Sequence, residues 1–198
     1  MSKRRVVGSE SMRLAVLASG TGTILDAMAH SKLPISLVVV DRPCKAEKIA
    51  ANHGLALELI ERSSFGNDFN RVSYTQQVTE RLLAAEIELV AMAGFGTILG
   101  QSIHDGFTGR ILNTHPSLLP AFPGWHAVQD ALNHGVKVTG CTVHIATLEV
   151  DAGPILAQQA VTIEPEDTVD TLHERIKMVE RDLYIRTIQK VIDRGYVL

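Results

Sequence analysis

Apolar positions along this chain fall mostly in short unbroken runs. Arg13–Ala18 (RLAVLA), Leu37-Val38-Val39-Val40, Ala56–Ile60, Leu89–Ala93 and Ile111–Thr114 each read as a strand. A continuous run of Val, Leu and Ile suits a parallel strand whose sheet is covered on both faces. Between these runs the period lengthens. Thr23–Ala29, Ala46–Asn52 and Arg71–Ala85 read as helices, the second closed by Gly54 and the third amphipathic. Glu61–Asn70 reads as a polar loop and Gln101–His104 as one helical turn. Regular alternation of strand and helix predicts an α/β fold on a doubly wound, mostly parallel sheet. The second half changes character. Ala127–His134 predicts a helix stopped by Gly135. Val138–Ala146 and Pro154–Ile163 predict an antiparallel strand pair joined by Thr147–Gly153. Leu172, Ile176, Val179, Leu183 and Ile188 recur at helical spacing, with Glu166, Asp167 and Thr168 supplying cap chemistry ahead of them. A long helix from Val169 to about Asp193 is expected to pack on the sheet.

Bulk properties narrow the class. A length of 198 residues suits one domain with a proper core, placed here over 13–198. Lys3-Arg4-Arg5 precedes an apolar patch, but the patch is short and runs straight into a Gly-rich turn, unlike a signal peptide. Residues 1–12 are therefore read as a mobile N-terminal extension. The hydrophobic fraction of 45% and charged fraction of 21% exclude a disordered chain. A formal net charge of −3 offers no basic excess to a nucleic-acid backbone. Two cysteines, Cys44 and Cys141, suggest a reduced compartment rather than a disulfide framework. No apolar run approaches the roughly 20 residues that span a bilayer, so the expected location is cytoplasmic, with no membrane partner.

The densest chemistry lies in Asn113-Thr114-His115-Pro116-Ser117-Leu118-Leu119-Pro120-Ala121-Phe122-Pro123-Gly124. Its prolines forbid helix or central strand. Asn113 and His115 lie two apart, so an extended chain points them the same way. An amide and an imidazole so placed can bind a carbonyl oxygen and manage a proton. The plain alternative is a proline-stiffened loop with a capping Asn and a solvated His. Earlier, Ser19-Gly20-Thr21-Gly22-Thr23 joins a strand to a helix, the usual cradle for phosphate. It also begins a dinucleotide fingerprint, with Asp41 where a ribose-binding acid would stand, but Leu25 occupies the third glycine position.

Four segments in order carry a family resemblance: Ser19–Thr23, Ala93-Gly94-Phe95, the run His115–Pro120 preceded by Asn113 and followed by Pro123-Gly124, and Asp151-Ala152-Gly153-Pro154. Together they resemble the folate-dependent formyltransferases, in the branch that acts on a small ribonucleotide. The resemblance covers about Arg13 to Ile192 and implies the formyltransferase fold. It implies transfer of the formyl group of 10-formyltetrahydrofolate, a cosubstrate, to the amine of glycinamide ribonucleotide in purine synthesis. By that resemblance Asn113, His115 and Asp151 are catalytic. Asn113 and a protonated His115 hold the oxygen that becomes negative, and Asp151 keeps the ring charged. No covalent enzyme intermediate is required.

The remaining roles also come from the resemblance. Gly22, Thr23 and Ile24 would hold the ribonucleotide phosphate. Lys177 would approach that phosphate, and Glu180 a ribose hydroxyl or the amine. Taken by themselves, Lys177 and Glu180 read as an exposed charged pair on one helix face. The pterin slot would use Gly96, Thr97, Ile98 and Leu99 with Thr147, between Met92 and Ile111. Arg71 would answer the folate carboxylates, or else be a solvated residue at a helix start. The family commonly has Asn where Ile24 stands and Met-Arg where Gly96-Thr97 stands, so one side-chain contact at each place is lost. His126 and His144 flank the region in sequence and are read as residues that support the catalytic set from behind. His30, His53, His104, His134 and His173 show no ligand spacing, and no metal is implied. The partners expected are the two small molecules, with no nucleic acid and a homodimer left open. Rival readings are a formyltetrahydrofolate hydrolase or a tRNA-formylating enzyme of the same fold, a nicotinamide-dependent oxidoreductase, and a non-catalytic folate or nucleotide sensor.

Overall fold

The computed structural model describes residues 12–198, and the proposed extension lies almost wholly outside the described residues. Its elements are β1 (Leu14–Ala18), α1 (Thr23–His30), β2 (Ile35–Val40), α2 (Lys45–Asn52), β3 (Leu57–Leu59), α3 (Arg71–Ala84), β4 (Leu89–Met92), α4 (Gln101–Gly106), β5 (Ile111–His115), α5 (Ala127–His134), β6 (Val138–Ile145), β7 (Ile155–Thr162) and α6 (Val169–Arg194). Seven strands form one sheet in the order β3-β2-β1-β4-β5-β6-β7. The first five are parallel to their neighbours. β6 then runs antiparallel to β5, and β7 to β6.

Alternate residues of the unbroken apolar runs face opposite layers. Leu14, Val16 and Ala18 of β1 join Val38, Val40, Leu89 and Ala91 in one core, with Leu25 and Met28 of α1 and Leu172, Ile176 and Ile188 of α6. Ala15 and Leu17 join Leu37, Val39 and Val90 in the other, under Val78 and Leu82 of α3 and Ile103 of α4. Each fully buried Leu or Ile contributes about 1.5–3 kcal/mol.

α6 begins at Thr168, whose hydroxyl accepts from the Thr171 N–H at 3.2 Å, and ends at Gly195 with φ 80°. Tyr184 of α6, fully buried, donates its hydroxyl to the Leu112 carbonyl of β5 at 2.8 Å. The long helix is thereby fixed to the strand that carries the Asn-Thr-His run. From β1 the chain proceeds to β2 on one side, while β4 pairs with β1 on the other. This reversal opens a crevice at the carboxyl ends of β1 and β4, where ligands of open α/β sheets bind.

Candidate active site

A cleft of about 660 Å³ occupies that crevice. It runs from the Gly20–Ile24 turn, past Asn113, His115 and Asp151, to the loop after β4. A drug-sized ligand needs roughly 300–1,000 Å³, so the space is adequate.

Three elements assemble its centre. Asn113 and His115 stand in the C-terminal half of β5, and β6 lies antiparallel beside them, with His144 opposite Asn113. Asp151 comes from the β6–β7 loop. The two ring nitrogens of His115 meet different partners. Nε2 lies 2.8 Å from the Phe122 carbonyl, which can only accept, so this nitrogen carries a hydrogen. Nδ1 faces Asp151 Oδ2 at 3.3 Å, both side chains being 6% exposed. Asp151 Oδ2 also accepts the Gly124 N–H at 2.8 Å. Phe122 and Asp151 have φ of 52° and 57°. Left-handed backbone at a non-glycine residue costs on the order of 1–3 kcal/mol, and it persists where its surroundings demand it. Here both unusual residues hold the same ring.

His144 belongs to this group too. Its Nδ1 faces the Ile145 carbonyl at 3.1 Å, and Asn113 Nδ2 lies 3.3 Å from its Nε2. Burial pushes the His144 ring below its ordinary pKa, against the Ile145 bond and the Asp151 charge. The neutral ring therefore donates from Nδ1 and accepts from Asn113 at Nε2. That fixes the Asn113 amide with its N–H side inward and leaves its second N–H for a ligand.

The proline-rich loop is tied down from β6 and β7. Thr142 donates to the Ser117 carbonyl at 2.7 Å and accepts the Leu119 N–H at 3.0 Å. Gln158 donates to the Leu119 carbonyl at 2.8 Å.

At the cleft's other end, Gly22 has φ 72° and opens α1, and no side chain among the described residues caps this helix. The first backbone N–H groups of a helix lack intrahelical acceptors, so those near Thr23 and Ile24 suit an anion. Lys177 and Glu180 of α6 both line the cleft. They do not form the exposed pair that their spacing suggests. Lys177 pairs with Glu174 at 2.7 Å, while Glu180 is 7% exposed. Burial raises the Glu180 carboxyl above its ordinary pKa, opposed by a Thr114 hydrogen bond and by the Lys177 and His115 charges. The reason is placement. α6 packs on one face of the sheet, with Ile176 and Leu183 in the core, and Glu180 lies on that inward side while Lys177 reaches Glu174.

Of the residues expected around a pterin, Met92, Gly96, Thr97, Ile98, Leu99, Ile111 and Thr147 all line the cleft. Arg71 is not among its lining residues; it is exposed at the start of α3. Thr97 turns its hydroxyl away to a fully buried Asp41, donating at 2.7 Å. Arg42 donates to both oxygens of Asp41 at 2.9 Å. Burial opposes ionisation of Asp41, but bonds from Arg42, Thr97 and Ser19 outweigh it and hold its pKa below the usual value. The acid that a dinucleotide reading would turn to a ribose is thus sealed inside the protein.

Several lining residues were not singled out from sequence. Trp125, 82% exposed, stands over Gly96, where an added Cβ would lie 3.4 Å from its ring. His173 and Arg181 line the cleft on either side of Lys177. Their i, i+4 spacing was the available signal. His126 lies outside this lining, exposed at the start of α5.

Comparison with known proteins agrees with this arrangement. The sequence model of the formyl transferase family matches residues 12–188. A phosphoribosylglycinamide formyltransferase of Mycobacterium tuberculosis is 43% identical over 196 residues, 96% of this chain and 90% of that protein. One from Bacillus subtilis is 35% identical over 187 residues, 91% and 94% of the two chains. The crystal structure of glycinamide ribonucleotide transformylase 1 from Symbiobacterium toebii superposes with a TM-score of 0.85 at 36% identity, covering 93% of this chain and 89% of that one. The mixed sheet, the crevice at its strand ends and these near-complete alignments have one explanation: the chain belongs to the formyl transferase family.

Proposed function

We propose that this chain transfers the formyl group of 10-formyltetrahydrofolate to the amine of glycinamide ribonucleotide, a step of purine synthesis. The observation that carries the reading is the continuity of one cleft. It joins an uncapped helix N-terminus to an apolar slot, with Asn113, His115 and Asp151 between them. The ribonucleotide phosphate rests on the backbone of Gly22, Thr23 and Ile24, with Lys177 as counter-charge. Glu180 accepts from a ribose hydroxyl or from the amine. The pterin lies between Met92 and Ile111, against the backbone of Gly96–Leu99 and beside Thr147. Main-chain donors and acceptors suit its polar edge.

The amine attacks the formyl carbon, and the carbonyl oxygen gains negative charge. The free N–H of Asn113 and the ring of His115, itself buried, stabilise it. Asp151 holds the ring in place. When the intermediate collapses, the bond to N10 breaks, and the proton lost by the amine passes to N10 through Asp151 and water. The products are the formylated ribonucleotide and tetrahydrofolate.

The test mixes enzyme and 10-formyltetrahydrofolate with and without glycinamide ribonucleotide. Tetrahydrofolate release and the formylated product are both followed. Release that requires the ribonucleotide, with one formylated product per turnover, is expected. Equal release without it would make the chain a hydrolase.

A further inference from the structure

Away from the cleft, α1 and the end of α2 gather three side chains that formyl transfer does not use. Asp26 and His30 are one helical turn apart on α1, and His53 follows the last residue of α2. His53 Nε2 lies 2.8 Å from Asp26 Oδ1, and His30 Nδ1 lies 3.4 Å from the same oxygen. The two rings meet edge to face with centroids 4.7 Å apart. One donor atom from each residue falls within 4.8 Å of the others. Spacing along the chain does not show this grouping, because Asp26 and His53 are 27 positions apart.

We propose that Asp26, His30 and His53 form a site for a divalent transition-metal ion, with Zn²⁺ the natural occupant, and that the bound ion staples α1 to α2. Two imidazoles and one carboxylate are the donors that Zn²⁺, Co²⁺, Ni²⁺ and Cu²⁺ take, whereas Mg²⁺ and Ca²⁺ require oxygen. Metal–donor bonds of about 2.0–2.2 Å at tetrahedral angles place donors roughly 3.4 Å apart. The separations of 2.8, 3.4 and up to 4.8 Å bracket that value. Side-chain exposures of 45% for Asp26, 68% for His30 and 23% for His53 leave the groups free to close by the remaining ångström. His30 Nδ1 exchanges its 2.9 Å bond with the Asp26 carbonyl for the ion. Three protein donors leave a fourth position to water.

The place of the site gives it a consequence. The Asp26 N–H bonds the Gly22 carbonyl at 2.9 Å, and the Ala46 N–H bonds the Gly20 carbonyl at 3.2 Å. Gly22 packs so closely on α2 that an added Cβ would lie 2.7 Å from Ile49 Cδ1. The glycine turn therefore rests on the α1–α2 contact that the ion would fix.

The experiment titrates metal-free protein with Zn²⁺ by calorimetry and with Co²⁺ by visible absorption, with Mg²⁺ as control. His30→Ala, His53→Ala and His115→Ala are run in parallel. The last is needed because His115 and His144 flank Asp151 in the cleft. One Zn²⁺ per chain at micromolar affinity is expected, weakened at least about tenfold by loss of either outer histidine and unchanged in His115→Ala. Co²⁺ bands vanish in the same two variants, and Mg²⁺ is silent. Saturating Zn²⁺ raises the melting temperature of the parent protein but not of His53→Ala. Circular dichroism and metal-free turnover of the two outer variants match the parent and show them folded. Absence of saturable binding overturns the proposal. So does binding that survives His30→Ala and His53→Ala, or that is lost in His115→Ala.

Discussion

At the level of single residues, the centre of the cleft depends on one carboxylate in an unusual backbone conformation. Asp151 at φ 57° faces the His115 ring while accepting from the Gly124 amide. Asp151→Asn keeps the size and leaves an oxygen for that amide, but removes the charge. Its expected effect is a fall in kcat of about 10²–10⁴-fold, with the folate dissociation constant essentially unchanged. Steady-state kinetics beside fluorescence titration of a non-reactive folate separates the two. An equal loss of folate binding would make Asp151 a structural residue. Asn113, His115 and Asp151 could all be named from sequence, since each sits in a recognisable motif. His144 could be placed behind the site but not given its partner. Its partnership with Asn113 arises from antiparallel register, which sequence spacing does not encode. Trp125 was hidden for a related reason: it meets Gly96 only after two distant loops converge.

Elements were more legible than side-chain roles. The parallel strands follow unbroken apolar runs and the helices the 3.6 period, so the strands read from β1 to β7 differ from the structure only at their ends. β2 begins at Ile35 rather than Leu37, and α4 extends to Gly106. What periodicity missed is how closely the elements approach. A Cβ at Gly153 would lie 1.8 Å from the Ile145 carbonyl oxygen, and one at Gly140 2.1 Å from the Gln159 oxygen. Gly153→Ala must push the loop that carries Asp151 away from β6. Urea unfolding is expected to show a loss of about 1–3 kcal/mol or more. Gly20→Ala, with nothing among the described residues within 4 Å of the new carbon, is expected to fall within about 0.5 kcal/mol of the parent. Comparable losses in both would mean that close packing at Gly153 does not set the cost. α6 offers a functional counterpart. His173, Lys177 and Arg181 line the cleft one turn apart along a single face. Lys177→Ala is expected to raise the ribonucleotide KM by about 10- to 150-fold, as loss of a charge-assisted bond of roughly 1.5–3 kcal/mol requires. The folate KM should stay put, and an equal rise in both would remove Lys177 from the phosphate end.

Across the whole molecule, stability and activity make opposite demands on Glu180. The fold buries two apolar layers against one sheet and needs no carboxylate there, yet Glu180 is 7% exposed beside Thr114 and His115. Its pKa is raised by burial, against the Thr114 bond and nearby positive charge. A carboxyl whose folded pKa exceeds its unfolded one holds its proton more tightly in the native state. Its contribution to stability is complete below the unfolded value of about 4.3 and is lost as pH rises through the folded value. Above the unfolded value the protein therefore loses stability to a carboxyl whose charged form its interior disfavours. Natural sequences retain such groups where a ligand needs them. Glu180→Gln keeps the shape and removes the charge. The variant should melt above the parent at pH 7.5, and the gap should close as pH falls toward 4, while the ribonucleotide KM rises. A melting series in pH, run beside kinetics, tests both halves together. A variant that melts below the parent at pH 7.5, or a gap that ignores pH, would show that Glu180 is placed for stability rather than for the ribonucleotide.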